Sequence, residues 1–391
     1  MSKDPLDLFP KRQEGKLNIY FHVSENTGVG YYRQYLPAWT LREQKLANVM
    51  ISDFKWGEGP TIEPALSTLY PIMIWADLVV VGRRDLPEFY AQWGGVKEHF
   101  NLPIIMDTDD NVYHVRPENP GYQGYYPGSP GQIINKYATM RVFDAITVST
   151  EDLRDFHKRD NPRIHVMPNN LDMADWDKYS KKKFDDGFIR MGFIGSGAHT
   201  NSIMIMKKAI VDIMVKYPNV KFCITHIFRH LFSDAPKEVQ ERIEYLPWIK
   251  LEEWGKGSKE VGLDIGLAPL ADNMFNRSKS NLRWMEYAAA KVAPVVSPVK
   301  PYLCVKNNVT GIFAKEKEEW YNAIERLILD PKLRNDIAEN AYKEVSSKYD
   351  IVKNIKLWDN VYREIHEKYH QFFGAKKQFL SLGKGKYRQI K

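Results

Sequence analysis

The chain has 391 residues, of which 43% are hydrophobic and 27% are charged, a balance typical of globular proteins and a length sufficient for two domains with separate cores. Apolar runs such as residues 71–75 are far shorter than the roughly 20 residues of a membrane-spanning helix, and Asp4, Asp7 and Lys11 occupy the N-terminal stretch where a secretory signal would be apolar. Two cysteines are too few for a disulfide framework or a four-cysteine zinc site, so we expect a cytoplasmic protein.

The formal net charge of +7 is concentrated at the C-terminus. Residues 374–391 contain six basic residues and no acidic residue, which leaves a charge of +1 for the rest of the chain. These residues are Lys376, Lys377, Lys384, Lys386, Arg388 and Lys391. We interpret this segment as a mobile basic tail able to contact nucleic acid or an anionic surface, with a solvated tail of no specific function as the equal alternative.

Apolar runs alternate with helical patterns from residue 17 onward. Strands are predicted at 17–23, 49–54, 78–81, 103–106, 145–148 and 164–167. This rhythm predicts a doubly wound parallel sheet, Rossmann-like, within a first domain of residues 1–177. A stretch rich in proline, glycine and tyrosine at 112–131 interrupts it, and a loop of that length inside a domain is usually functional or disordered.

A charged linker is predicted at 178–187, after which the strand–helix rhythm restarts. Strands at 189–194, 220–225, 243–246, 263–268 and 294–296 predict a second Rossmann-like domain over 188–349. A C-terminal helix is expected at 350–373, packing back toward the first domain, followed by the basic tail. Two such α/β domains imply a ligand cleft between them.

Two glycine turns follow the first strands of the two predicted domains. Gly28 and Gly30 permit close approach of the backbone to a ligand, and Arg33 lies one turn further on, where it could address an anion. The segment from Gly195 and Ser196 to His199 and Thr200 repeats this arrangement. An ordinary strand-to-helix turn explains the first motif about as well, and His199 alone is more often a polar loop residue than a catalyst.

Three carboxylates stand together directly after the strand at 103–106, in the sequence Asp107-Thr-Asp109-Asp110-Asn111. They repel one another unless a cation, a donor or a substrate hydroxyl compensates their charge. Asp107 and Asp109 could bind a divalent metal. Alternatively, Asp109 and Asp110 could bind sugar hydroxyls or act as a base together with His114. We favour the second interpretation.

The segment 264–297 carries the strongest functional signal. A buried-strand pattern at 265–270 ends in polar residues, and a helix with Arg283 and Glu286 follows. Lys279 places a positive charge where a helix N-terminus can bind phosphate, and Glu286 lies seven residues later on the same helical face, where its carboxylate could bind a ribose diol. The pattern predicts a nucleotide site.

These motifs together resemble the GT-B-fold glycosyltransferases, and among them the retaining family 4 group, over roughly residues 17–369. The resemblance rests on the Gly28 turn, on a Val166-x-Pro168-Asn169-x-x-Asp172 signature, on the Gly195 loop and on the block from Lys279 to Glu286. The aspartate run is similar to that of some phage-encoded members. The chain departs from the family pattern at Ser278, where the first glutamate of a Glu-x7-Glu motif is expected, and no basic residue follows the Gly195 strand.

The resemblance implies a GT-B architecture of two Rossmann-like domains facing across a cleft. It assigns Glu286 to the ribose and Lys279, Arg283, Gly195, Ser196, Arg33 and Gly30 to the donor diphosphate. The remaining loop or sugar contacts are Gly28, His199, Thr200, Asn276, Ser280 and Asn281, and Asp109, Asp110 and His114 are the candidates near the reacting hydroxyl. No metal ligand is assigned, and a divalent metal is not favoured.

The predicted activity is transfer of a hexose or pentose from a nucleotide diphosphate sugar to an acceptor hydroxyl, with retention and without a further cofactor. The acceptor is left open among a glycan, a lipid, a protein and a modified DNA base. Two alternatives stay open. One is a DNA-modifying glycosyltransferase, suggested by the basic tail and by Tyr122, Tyr125 and Tyr126. The other is a non-catalytic two-domain protein that binds a small ligand.

Overall fold

The structure is a computed structural model that describes residues 9–23, 27–52, 66–84, 86–119, 121–159, 161–383 and 386–389. Lys384 and Lys391 of the predicted tail, residues 53–54 of the second predicted strand, and Asp4 and Asp7 lie outside the described residues. Contacts between residues divide the chain into two compact units. Unit 1 comprises Met1–Tyr113, Gly124–Asn169 and Ile351–Lys391, and unit 2 comprises His114–Gln123 and Asn170–Asp350.

The strands of the two units are numbered here in chain order. They are β1 (Asn18–His22), β2 (Asn48–Ile51), β3 (Leu78–Gly82), β4 (Ile104–Thr108), β5 (Ala145–Val148), β6 (Ile164–Val166), β7 (Ile189–Phe193), β8 (Val220–Thr225), β9 (Ile243–Leu246), β10 (Ile265–Ala268), β11 (Ala293–Val296), β12 (Ile312–Phe313), β13 (Phe379–Gly383) and β14 (Lys386–Gln389).

The α-helices occupy most of the connections. They are α1 (Gly28–Gly30), α2 (Leu36–Glu43), α3 (Leu66–Trp75), α4 (Pro87–Phe100), α5 (Tyr122–Tyr125), α6 (Pro130–Arg141), α7 (Glu151–His157), α8 (Met173–Asp177), α9 (Thr200–Lys216), α10 (Lys237–Gln240), α11 (Trp254–Glu260), α12 (Met274–Arg277), α13 (Leu282–Ala289), α14 (Lys317–Leu329), α15 (Pro331–Lys348) and α16 (Ile351–Phe373). A π-helical turn at Tyr31–Tyr35 joins α1 to α2. None of the described helices combines the length and the apolar character needed to cross a bilayer.

Unit 1 contains a six-stranded sheet in the order β2-β1-β3-β4-β5-β6, and every pair of neighbouring strands is parallel. Helices cover parallel sheets on both faces, so their strands are continuous apolar runs. All five residues of β3 are buried, as this rule requires. On α4, Phe89, Trp93, Val96 and Phe100 recur at helical spacing and pack into the core.

Unit 2 contains a second six-stranded parallel sheet in the order β12-β11-β10-β7-β8-β9. Its core cluster combines alternate residues from one face of the sheet with α9 and α14, where Ile210 and Trp320 are fully buried. The strand order of both sheets and their parallel pairing confirm the predicted α/β fold class.

The segment after residue 373 is not the mobile tail that its composition suggested. β13 and β14 pair as an antiparallel hairpin, and the Phe379 ring packs against Phe100 and Tyr70. The Lys376 amine donates to the backbone carbonyls of Ile74 and Ala76, and burial lowers its pKa to about 7. One of the six predicted surface cations is therefore part of the structure of unit 1.

Gly192 lies in β7, between β8 and β10. A Cβ atom there would stand 2.6 Å from the backbone oxygen of Cys223 and 2.7 Å from the side chain of Leu263. Because the backbone oxygen cannot move without disturbing the sheet, we expect Gly192→Ala to lower the free energy of unfolding by roughly 1–3 kcal/mol. Chemical denaturation followed by circular dichroism measures this loss.

Gly95 provides the matched control, because it lies on the exposed side of α4 and a Cβ atom there meets nothing within 4 Å. Gly95→Ala should stabilise the protein by about 0.5–1 kcal/mol, since alanine loses less backbone entropy in a helix. Equal effects of the two substitutions would contradict the packing argument.

Candidate functional site

A buried ion pair lies at the carboxyl end of β4 in unit 1. The Arg33 guanidinium donates to both carboxylate oxygens of Asp107, from Nε to Oδ1 at 3.0 Å and from Nη2 to Oδ2 at 2.8 Å. Nη1 donates to Asn169 Oδ1 at 3.0 Å and to the carbonyl of Met167. The Thr147 hydroxyl donates to Asp107 Oδ2 at 2.6 Å. Both charges are therefore compensated inside the protein.

This geometry corrects two expectations. The Arg33 side chain has 0% exposed surface, so it is not placed to contact a donor diphosphate. Asp107, with 1% of its side chain exposed, holds Arg33 and is not presented to a metal. The glycine turn carries the arginine into the core because the adjacent carboxylate offsets the desolvation of the guanidinium. Asn169 of the Pro-Asn signature completes this same network.

The two following aspartates occupy a different environment from that of Asp107. Asp109 and Asp110 are partly exposed and line a recess of about 20 Å³ together with Gly30, Gln34 and Arg83. These are the carboxylates that unit 1 presents at the carboxyl edge of its sheet. Gly28 lies at the start of the same turn, with open space where a Cβ atom would be.

His114, the third predicted catalytic residue, belongs to the segment His114–Gln123 of unit 2. It ends a 3-10 turn at Val112–His114, and burial lowers the pKa of its imidazole. The aspartates and the histidine are thus distributed over the two units.

Unit 2 gathers several predicted site residues around the Phe193 ring at the end of β7. The Arg283 guanidinium lies over this ring at 4.9 Å, and the His199 ring contacts it at 5.5 Å between centroids. Arg283 Nη1 also donates to the carbonyl of Ile194. A Cβ atom on Gly195 would stand 2.7 Å from Arg283 Nη2, so a larger residue here would displace the end of the Arg283 side chain.

The Gly195 N–H does not face a ligand as expected. It donates to the Thr225 hydroxyl oxygen at 3.0 Å, at the end of the neighbouring strand β8. Ser196, by contrast, is exposed, and its backbone precedes the turn Gly197–His199 that leads into α9. Thr200 donates its hydroxyl to the carbonyl of Gly197 at 2.9 Å and so stabilises that turn.

Two cations act on His199. Burial lowers the pKa of its imidazole well below the usual value, and the charges of Arg283 and Lys279 lower it further. The ring is therefore neutral at neutral pH. This coupling places Lys279 in the same electrostatic environment as Arg283 and His199. The Lys279 ammonium also lies over the Phe275 ring at 4.5 Å.

Glu286 lies in the second turn of α13 and is only 8% exposed. Lys279 lies in the loop between α12 and α13, so the predicted position of both residues on one helical face is wrong. Its Oε1 atom accepts a hydrogen bond from Trp254 Nε1 at 2.8 Å, and its Oε2 atom lies 3.6 Å from Arg283 Nη1. The carboxylate is thus held by a tryptophan and an arginine. Trp254 is 32 positions away in the sequence and carried no signal that could have identified it.

The loop before α13 contains both structural and surface residues. The Asn276 amide donates to the carbonyl of Ala271 at 2.8 Å and the Ser278 hydroxyl donates to that of Met274 at 3.1 Å, so both buried side chains hold the loop. Ser280 and Asn281 are partly exposed at the start of α13, and the Asn281 amide donates to Cys304 Sγ at 3.3 Å.

A polar cavity of about 370 Å³ lies beside this loop in unit 2 and was not identified from the sequence. Its walls carry amide, hydroxyl and charged groups from Asn201, Ser202, Asn273, Asn119 and Arg116. Such groups bind hydroxyl-rich ligands. Among the residues that the structure describes, no group of three or more histidines, cysteines, aspartates or glutamates is arranged to hold a metal ion.

The two parallel six-stranded sheets with their helices form the fold of the GT-B glycosyltransferases. No family model and no curated protein matches the sequence. Solved structures do match. The Anabaena protein HepE in complex with UDP and glucose aligns with a TM-score of 0.60 at 13% identity, over 90% of this chain and 99% of that chain.

Two further structures match to the same extent. A glycosyltransferase from Rickettsia africae aligns with a TM-score of 0.61 at 12% identity, over 90% of this chain and 98% of its own. The sucrose-phosphate synthase of Thermosynechococcus elongatus aligns with a TM-score of 0.60 at 12% identity, over 92% and 99% of the two chains. At such low identity these similarities establish the fold alone.

The buried pair in unit 1 generates a stability prediction. Arg33→Ala leaves the Asp107 carboxylate buried without its cation, and we expect the free energy of unfolding to fall by about 3–5 kcal/mol. Arg42→Ala on α2 is the control, since its side chain is 42% exposed, lies over the Trp39 ring at 4.2 Å and is 3.8 Å from the Glu43 carboxylate. That variant should lose less than about 1 kcal/mol. Equal denaturation midpoints for the two variants would refute the role assigned to Arg33.

Proposed function

We propose that this protein transfers a sugar from a nucleotide diphosphate sugar to an acceptor hydroxyl. The observation that carries the proposal is the cluster of Lys279, Arg283, His199 and Glu286 around the carboxyl edge of the unit 2 sheet. In parallel α/β sheets, ligands bind at that edge. The GT-B fold of the chain and the UDP in the HepE complexes are consistent with it.

In this proposal the nucleotide diphosphate is the leaving group, and it gains negative charge as the bond to the sugar breaks. Lys279 and Arg283 stabilise that charge because their side chains are already in place. Arg283 is fixed by the Ile194 carbonyl and by Glu286, whereas Lys279 is partly exposed beside the start of α13. We therefore assign the larger part of the diphosphate contact to Lys279, with Ser196, Ser280 and Asn281 as backbone or hydroxyl partners.

Glu286 is proposed to accept hydrogen bonds from the ribose hydroxyls. The Trp254 N–H and the Arg283 guanidinium orient its carboxylate, and carboxylate oxygens are acceptors for the hydroxyls of a diol. The polar cavity lined by Asn201 and Asn273 would hold the transferred sugar or a hydroxyl-rich acceptor. Asp109 and Asp110 of unit 1 are proposed to bind the acceptor hydroxyl, and retention of configuration is part of the proposal.

Lys279→Ala should lower turnover by about 100-fold or more, as loss of a preorganised donor at a developing charge does. A thermal-shift screen of nucleotide sugars first identifies the donor, because a true donor stabilises the native state by mass action. Release of the nucleoside diphosphate from that donor is then measured. Lys237→Ala, whose side chain is 91% exposed, should keep full activity.

Near-normal turnover in Lys279→Ala would contradict the assignment. Tight binding of a nucleotide sugar by the wild type, without transfer to any glycan, lipid, protein or hydroxylated DNA acceptor, would instead support a non-catalytic ligand-binding protein. Transfer only to a hydroxylated base in DNA would support the DNA-modifying alternative.

Trp254 offers a sharper test of how Glu286 is held. Trp254→Phe removes one hydrogen bond to the carboxylate and keeps an aromatic ring, so we expect donor KM to rise by about fivefold with little change in kcat, in line with about 1 kcal/mol for one such bond. Glu286→Gln should raise donor KM further. A lower kcat with unchanged KM in Trp254→Phe would show that the tryptophan acts on the reaction and not on donor binding.

A further inference from the structure

Helix α16 ends on two neighbouring phenylalanines that the fold leaves at the surface. Phe372 has 83% of its surface exposed and Phe373 has 54% exposed. Apolar surface of this kind is unfavourable in water, and an exposed apolar patch commonly marks an interaction site. Neither residue belongs to the candidate donor or acceptor residues described above.

The helix end that carries these rings is held in place by unit 1. Asn101 accepts a hydrogen bond from the Tyr369 hydroxyl at 2.9 Å, and its amide donates to the carbonyls of Phe373 and Ala375, each at 3.0 Å. The next residues continue into the hairpin, where Lys377 N donates to the carbonyl of Phe100. The exposure of the two rings is therefore a fixed feature of the fold and not the result of a frayed end.

An apolar cavity of about 400 Å³ opens beside the two rings. Ile164, Ile365, Tyr369 and both phenylalanines form its apolar walls, together with Ala145 and Pro162. Ala145 and Ile164 are the first residues of β5 and β6, so the cavity lies at the amino edge of the unit 1 sheet. Asp109 and Asp110 lie at the opposite, carboxyl edge. An occupant of the cavity would leave them accessible.

Arg163 and Lys368 line this cavity and are exposed, with Lys368 paired to Glu364. Asp144 also lines it but is buried and paired with Lys97. The chain that follows Phe373 contains six basic residues and no acidic residue up to position 391, of which Lys376 is partly buried and Arg388 is exposed. Cations next to an apolar surface match the chemistry of anionic phospholipids.

We propose that the face formed by Phe372, Phe373, Arg163 and Lys368 docks on the surface of an anionic phospholipid membrane. The two rings enter the acyl region, an acyl chain fills the cavity, and the cations contact the headgroup phosphates. Nucleic acid fits the charge but would leave an apolar cavity unfilled, so the observations favour lipid. The docking is peripheral, because the apolar element is the end of one helix.

The test is co-sedimentation of the full-length protein with extruded vesicles of phosphatidylcholine containing 30% phosphatidylglycerol, and with pure phosphatidylcholine vesicles. We expect binding to the anionic vesicles that weakens as salt is raised, and little binding to the neutral ones. The double variant F372S/F373S should reduce the partition coefficient by about tenfold or more, since two apolar side chains no longer insert.

The double variant V352S/L357S is the matched control, because Val352 and Leu357 are each 42% exposed on the same helix but lie nearer its start. It should bind vesicles like the wild type, and both double variants should keep the thermal shift produced by the nucleotide sugar donor. Retention of that shift separates failure of this proposal from failure of the proposed function.

Four results would overturn the proposal. The first is failure of the wild type to sediment with anionic vesicles at low salt, and the second is sedimentation of F372S/F373S to the same extent as the wild type. A change from dimer to monomer in F372S/F373S, measured by light scattering without lipid, would show that a second copy of the chain covers this face. Binding of single-stranded DNA that competes with vesicles and is lost in F372S/F373S would likewise assign the face to nucleic acid.

Discussion

The constraint on which the structure depends is that both faces of each parallel sheet are covered by helices. Residues within β3 and β10 are all buried, so a charged side chain inside a strand would have to find a partner within the core. Polar groups therefore collect where the strands end. In unit 1 that edge carries Asp107, Asp109 and Asp110, and in unit 2 it carries the Gly195 loop and the start of α13. The candidate chemistry follows from this distribution.

Two arginine–carboxylate pairs at these edges serve different purposes. Arg33 donates two hydrogen bonds to the Asp107 carboxylate, and both side chains are buried from solvent. Arg283 and Glu286 are 3.6 Å apart and remain 15% and 9% exposed. The first pair fixes the shape of the strand end, because breaking it leaves a buried charge. The second pair is longer and partly exposed, which is the arrangement expected of residues that contact a ligand in the proposed function.

The sequence predicted strands β1 to β11, because continuous apolar runs bounded by turns indicate buried strands in an alternating α/β chain. It missed the two-residue strand β12, which is too short for such a run. It also predicted Lys279, Arg283 and Glu286 near the junction of β10 and α13, and the resemblance assigned His199, which follows β7, to the same site. The structure places the His199 ring and the Arg283 guanidinium against the same Phe193 ring. The prediction failed at Arg33, because an arginine after a glycine turn has the same local pattern whether it faces a ligand or an internal carboxylate. The roles of Trp254 and of the C-terminal hairpin could not be predicted. Their partners, Glu286 and Phe100, are distant in sequence, and no regular spacing of residues indicates such contacts.

The neutral state of His199 determines how charge is distributed in the unit 2 cluster. Two cations and burial keep its imidazole unprotonated, so the cluster carries the charges of Lys279 and Arg283 against that of Glu286. Arg283 is already partly compensated by this carboxylate and by the Ile194 carbonyl. Lys279 adds a second positive charge beside this pair, in the loop that leads into α13. In the proposed function, where Lys279 contacts the diphosphate and Glu286 the ribose, this order of charges would orient the nucleotide with its nucleoside toward Glu286.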